Sequence, residues 1–121
     1  MKTIPFILIL FAFTLISAYA GPADVVKVDV KPAGPDTFQF FVTVRHDDKG
    51  WDHYANKWDV VAPDGTVLAT RTLHHPHENE QPFTRSLGGV MIPTGILTVT
   101  IQAHDSVHGY GGETITIQLP R

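Results

Sequence analysis

The 121-residue chain contains no cysteine. A disulfide scaffold, a thiolate metal site and a cysteine nucleophile are excluded, and no cysteine-linked bacterial lipoprotein anchor is expected. Methionine is nearly as scarce: one of the two is Met1 and the other is Met91, which argues against a sulfur-rich Cu⁺ site. Positive charge is also short, with 9 Lys and Arg against 12 Asp and Glu and a formal net charge of −3. A nucleic-acid binder needs a basic stripe to neutralise phosphates, so nucleic acid is not expected as a partner. The motifs of common enzyme classes are missing too. There is no Gly-x-Ser-x-Gly, no Walker loop and no His-Glu-x-x-His, and neither Ser86 nor Ser106 lies in a nucleophile motif. Whether the protein is an enzyme is left open by this pattern, with a non-enzyme the better supported reading.

The apolar residues that are present are arranged in two ways. Near the start, Lys2 precedes a mostly apolar run over 4–16, and Ala18-Tyr19-Ala20 has the small-x-small spacing that signal peptidase needs. A removable signal peptide over residues 1–20 is expected, with one β-sandwich domain over 21–121 placed in the periplasm or secreted. That apolar run is too short to anchor comfortably, and no later segment is apolar enough to span a bilayer. Loss of Lys2 would leave a net charge of about −4 on a length that suits a single core.

After residue 20 the pattern is short alternating runs separated by turns. Residues 24–31 set Val26, Val28 and Val30 against Lys27, Asp29 and Lys31, and 37–46 set Phe38, Phe40, Val42 and Val44 against Gln39, Phe41, Thr43 and Arg45. Residues 57–62 and 66–73 flank Pro63-Asp64-Gly65, a tight-turn signal that predicts a hairpin. The run over 83–92 is interrupted by Gly88-Gly89, which suggests a bulge or bend. Residues 96–104 and 113–119 alternate again. About seven short strands and no helix predict an all-β fold, an immunoglobulin-like antiparallel two-sheet sandwich. Such an architecture leaves function open.

Histidine is the unusual count. All seven, His46, His53, His74, His75, His77, His104 and His108, lie beyond residue 20. If successive strands run up and down, the loops over 46–56, 74–82 and 105–112 share one end of the sandwich and bring all seven there, provided that Gly88-Gly89 is a bulge and not a reversal. His75 and His77 would project to the same side of an extended His-His-Pro-His segment and could chelate Zn²⁺ or Cu²⁺. His104 and His108 flank Asp105 on a glycine-rich loop, where the carboxylate could orient a ring. His53 sits with Trp51 and Tyr54, aromatics that could wall a pocket or roof the core. His46 has core-facing parity and reads as a boundary histidine. Trp58 reads as core packing, and Arg85 as a partner for Glu78, Glu80 or Asp105.

The segments His-Asp-Asp-Lys-Gly-Trp-Asp-His-Tyr at 46–54, Trp-Asp-Val-Val-Ala-Pro-Asp-Gly-Thr-Val-Leu at 58–68, His-Pro-His-x-x-Glu-Gln-Pro-Phe-Thr-Arg-Ser at 75–86 and His-Asp-Ser-Val-His-Gly-Tyr-Gly-Gly at 104–112 resemble a family of small exported bacterial proteins without an assigned function. That resemblance implies export and a single domain, and brings no activity with it. A looser similarity, through the spacing of His46, His53 and Trp58, is to superoxide reductases, which set a histidine-ligated iron on an immunoglobulin-like sandwich. They also use a cysteine ligand, which this chain lacks, so that activity is not carried over.

The expected function is an exported metal-binding module that holds Cu²⁺ or Zn²⁺ with His53, His75, His77, His104 and His108. The alternative is a non-catalytic domain, without metal, that contacts an envelope protein or polymer. A metal-dependent enzyme with an open coordination position is a third reading.

Overall fold

A computed structural model describes residues 21–121; the expected signal peptide over 1–20 lies outside the described residues. Seven strands follow in order: β1 (Asp24–Gly34), β2 (Thr37–Arg45), β3 (Ala55–Val61), β4 (Val67–Thr72), β5 (Phe83–Met91), β6 (Thr98–Asp105) and β7 (Ile115–Gln118). They form two antiparallel sheets with strand orders β1-β2-β5 and β4-β3-β6-β7. The fold is the all-β sandwich that the alternation predicts. No helix of the described residues is long and apolar enough to cross a membrane.

The period of two explains why each strand has an inner face. In β2, Phe38, Phe40, Val42 and Val44 are buried while Gln39, Phe41 and Thr43 are only half-buried. In β3 and β6, Trp58, Val60, Val99, Ile101 and Ala103 are turned inward, and these two sets meet in one core. Full burial of each large side chain contributes roughly 1.5–3 kcal/mol. Trp58 is fully buried, as packing requires, although its Nε1 has no hydrogen-bond partner.

Strand β1 keeps the expected alternation, with Val26, Val28 and Val30 half-buried and Lys27, Asp29 and Lys31 exposed, but buries Val25 as well. Its register against β2 shifts between Val25 and Lys27, so Val26 occupies a bulge and Val25 is the fully buried residue. One extra residue lets Val25 face the core beside Val28 and Val30, which spacing alone does not show. The strand also runs on to Gly34, with Pro32 opposite Phe38. Proline is tolerated there because β1 is a sheet edge.

Gly88-Gly89 decides where the loops go. Phe38 pairs with Val90 and Phe40 with Leu87, so two glycines oppose the single residue Gln39 while β5 continues as one strand. Gly89 has a φ of 65°, which side chains rarely adopt. The feature is a bulge. The β2–β3, β4–β5 and β6–β7 loops therefore lie at the same end of the sandwich, and the Pro63-Asp64-Gly65 turn lies at the other.

Candidate metal centre

The inward series of β2 and β6 continues past the apolar residues into polar ones. After Phe40, Val42 and Val44 comes His46, and after Val99, Ile101 and Ala103 comes Asp105. Both are buried, so a histidine and a carboxylate cap the core where the two sheets meet. His46 Nε2 lies 3.1 Å from Asp105 Oδ2.

Two further imidazoles close on the same oxygen. His53 Nε2 is 3.1 Å and His108 Nδ1 3.0 Å from Asp105 Oδ2, and these two nitrogens are 3.2 Å apart. Turn chemistry puts them there. Gly50, at a φ of 68°, lets the β2–β3 loop fold back so that Lys49 N donates to His53 O at 2.7 Å. In the β6–β7 loop, Asp105 Oδ1 accepts from the backbone N–H groups of Val107 and His108. Oδ1 is thus occupied, and Oδ2 is left facing the three rings.

Asp48 orients His46. The ring's Nδ1–H donates to Asp48 Oδ1 at 2.5 Å, while Asp48 also accepts from Ala55 N at 3.1 Å and His77 N at 2.6 Å. A ring whose Nδ1 holds the proton presents a bare lone pair at Nε2. This carboxylate-to-histidine arrangement fixes ring tautomers at metal sites. Gln81 completes the support, accepting from His46 N at 2.9 Å and donating to His77 O at 2.8 Å.

A lone pair at His46 Nε2 facing a carboxylate oxygen needs a positive charge between them, either a proton or a metal ion. Burial would depress the His46 pKa, but the Asp48 hydrogen bond and the charges of Asp48 and Asp105 more than offset it, and the pKa is raised. Burial would raise Asp48 and Asp105. For Asp48 the His46 hydrogen bond and two backbone donors prevail. For Asp105 the backbone and ring of His108, the His53 ring and Val107 N prevail. Both carboxyls end below their ordinary value.

The ligating atoms of His46, His53 and Asp105 lie within 4.8 Å of one another. Four ligand atoms around a tetrahedral zinc ion, at bonds of about 2.0–2.1 Å, stand about 3.3–3.4 Å apart. In a square-planar set one neighbour of every ligand must lie opposite, at about 4 Å. Asp105 Oδ2 has three nitrogens at 3.0–3.1 Å, which are ordinary hydrogen-bond lengths, and with a spread of up to 4.8 Å among the His46, His53 and Asp105 atoms these distances select neither geometry. His46 and Asp105 side chains are fully enclosed, whereas His53 and His108 retain 14% and 35% exposure.

Of the histidines expected as ligands, the fold brings His53 and His108 to this centre. His75 is exposed and packs against His77 with ring centroids 4.9 Å apart. The His77 ring stacks on Phe83 at 4.1 Å and faces Arg85 Nη2 at 3.4 Å. Burial, then the charges of Arg85 and His75, lowers its pKa. Its contribution to the centre is its backbone N–H. His104 follows the opposite parity from Asp105, so its Nδ1 pairs with Asn56 Oδ1 at 2.6 Å and its ring meets Tyr110 edge-on. Arg85 pairs with Glu80 at 3.6 Å. His46, Asp48 and Asp105 were absent from the expected ligand set, although strand parity extended past the last apolar residue points to His46 and Asp105.

No family model matches the chain, and no solved structure matches it. The chain is similar to a protein of Halomicrobium mukohataei named "Putative lipoprotein", with 41% identity over 95 residues. The match covers 78% of this chain but 46% of that protein, so the chain spans about half the length of the curated relative it matches.

Proposed function

We propose that the protein is an exported metal-binding module whose centre consists of His46, His53, His108 and Asp105, with Asp48 orienting His46. The observation that carries this reading is the convergence of three imidazole nitrogens on Asp105 Oδ2 at 3.0–3.1 Å. The nitrogen and oxygen donors suit Zn²⁺ or Cu²⁺. Three histidines and one carboxylate on one ion would leave a four-coordinate site no open position, which favours holding or carrying the ion over catalysis. The amino-terminal pattern and the name of the Halomicrobium relative support export.

Calorimetric titration of the chelator-treated protein with Zn²⁺ and Cu²⁺ near neutral pH tests the proposal. One equivalent of Zn²⁺ should bind, with affinity falling as pH drops through the histidine range, because protons compete for the lone pairs. Binding no tighter than about millimolar for both ions would overturn it. The second reading, a surface that contacts an envelope protein, draws support from Trp51 and Val107, which are 66% and 59% exposed on the two ligand-bearing loops. A partner contact that persists after metal removal would favour that reading.

A further inference from the structure

Asp59 is 1% exposed although it lies on β3 between the inward Trp58 and Val60, on the face turned away from the core. Its carboxylate is covered by the β6–β7 loop. Tyr110 OH donates to Asp59 Oδ2, with Thr70 Oγ1 2.6 Å from Oδ1 and Gln102 Nε2 3.2 Å from Oδ2. Donors from β4 and β6 thus hold the carboxylate ready for the phenol. The Tyr110 ring is held as well, with Lys57 Nζ 5.5 Å from its centroid and the His104 ring at 4.8 Å.

The same loop carries two of the four candidate metal ligands. Asp105 and Gly109 exchange backbone hydrogen bonds at 3.0 and 3.1 Å, and Gly109 takes a φ of 69°. His108 lies inside this closed turn. The Asp105 cap holds it on one side, and Tyr110 lies just beyond Gly109 on the other. His108 is also the most exposed of the four ligands, so its placement depends on loop anchors more than on packing.

We propose that the Asp59–Tyr110 hydrogen bond is a latch that positions His108 as a zinc ligand. Tyr110 acts through His108 and does not touch the ion. The proposal rests on the metal reading above. A group that orients a metal ligand typically changes affinity by about 10- to 100-fold when removed.

The test is a double-mutant cycle read by Zn²⁺ affinity, with thermal melting as the control for folding. Tyr110→Phe removes one hydroxyl from a partly exposed ring. It should weaken Zn²⁺ binding by about 10-fold or more while the zinc-free protein keeps a cooperative melt. In the His108→Ala background the same change should produce no further loss, because the ligand it positions is gone. Unchanged affinity in Tyr110→Phe overturns the latch while leaving the metal centre standing. Equal losses in both backgrounds overturn it as well, since a merely structural contact would behave that way. A native protein that binds no Zn²⁺ overturns the metal reading first and the latch with it.

Discussion

The two histidine-bearing regions at the loop end behave in opposite ways. His74, His75 and His77 are crowded into four residues of one loop, yet the His75 and His77 rings pack on each other, with His77 also on Phe83. His46, His53 and His108 are spread over 63 positions, and their nitrogens surround one buried carboxylate oxygen. Density in sequence is therefore a poor guide to a centre. A shared buried acceptor is the better guide, because it orients lone pairs that sequence spacing cannot.

The strongest way to break this comparison is to remove the shared acceptor. Asp105→Ala should reduce Zn²⁺ affinity by about 100-fold or more, since it deletes both a ligand and the cap on the His108 loop. Isothermal calorimetry reads the loss; retained affinity would shift attention to the crowded loop. Next in size, His46→Ala and His108→Ala should each cost about 10-fold or more in affinity, while His75→Ala leaves it unchanged. The opposite ranking would make the crowded loop the metal site.

Asp48→Asn sharpens the comparison differently. It keeps the shape but turns one of two accepting oxygens into a donor that faces His77 N–H or the His46 ring, and should reduce Zn²⁺ affinity by about 10-fold while also lowering the melting temperature. Titration of the imidazole carbon-bound protons by NMR in the metal-free protein should then separate the two regions. His46 should titrate above 6.5 and His77 below it. The raised His46 pKa contributes stability that is fully present below 6.5 and lost as pH rises through the folded value. The lowered His77 pKa contributes stability present above 6.5 and lost as pH falls through its folded value. Titration of both in the same direction would remove the distinction. The smallest effect is expected at the exposed His74, where substitution by Ala should change stability by less than about 0.5 kcal/mol.

Much of the fold was legible because alternation is a local property. The runs ending at His46 and beginning at Phe83 show their inner faces in the residue order, and Pro63-Asp64-Gly65 marks its hairpin directly. The inner face of β1 was legible at Val28 and Val30, but the burial of Val25 was not, because the bulge at Val26 depends on register with β2, which no single strand carries. The buried histidine–carboxylate cluster was legible only in part. His104 looked equivalent to His108 by residue type, but one position of strand parity sends it to the far side of the sheet, towards Asn56.

Residue order therefore determined the two-sheet architecture, the shared end for three loops and the exclusion of sulfur chemistry, since each follows from local period, turn residues or composition. Tertiary structure decided which polar groups meet. Pairing of the sheets places the ends of β2 and β6 against each other, and desolvation there makes an unpaired carboxylate costly. Asp105 accordingly collects ring nitrogens from His46, His53 and His108, which lie 59, 52 and 3 residues away.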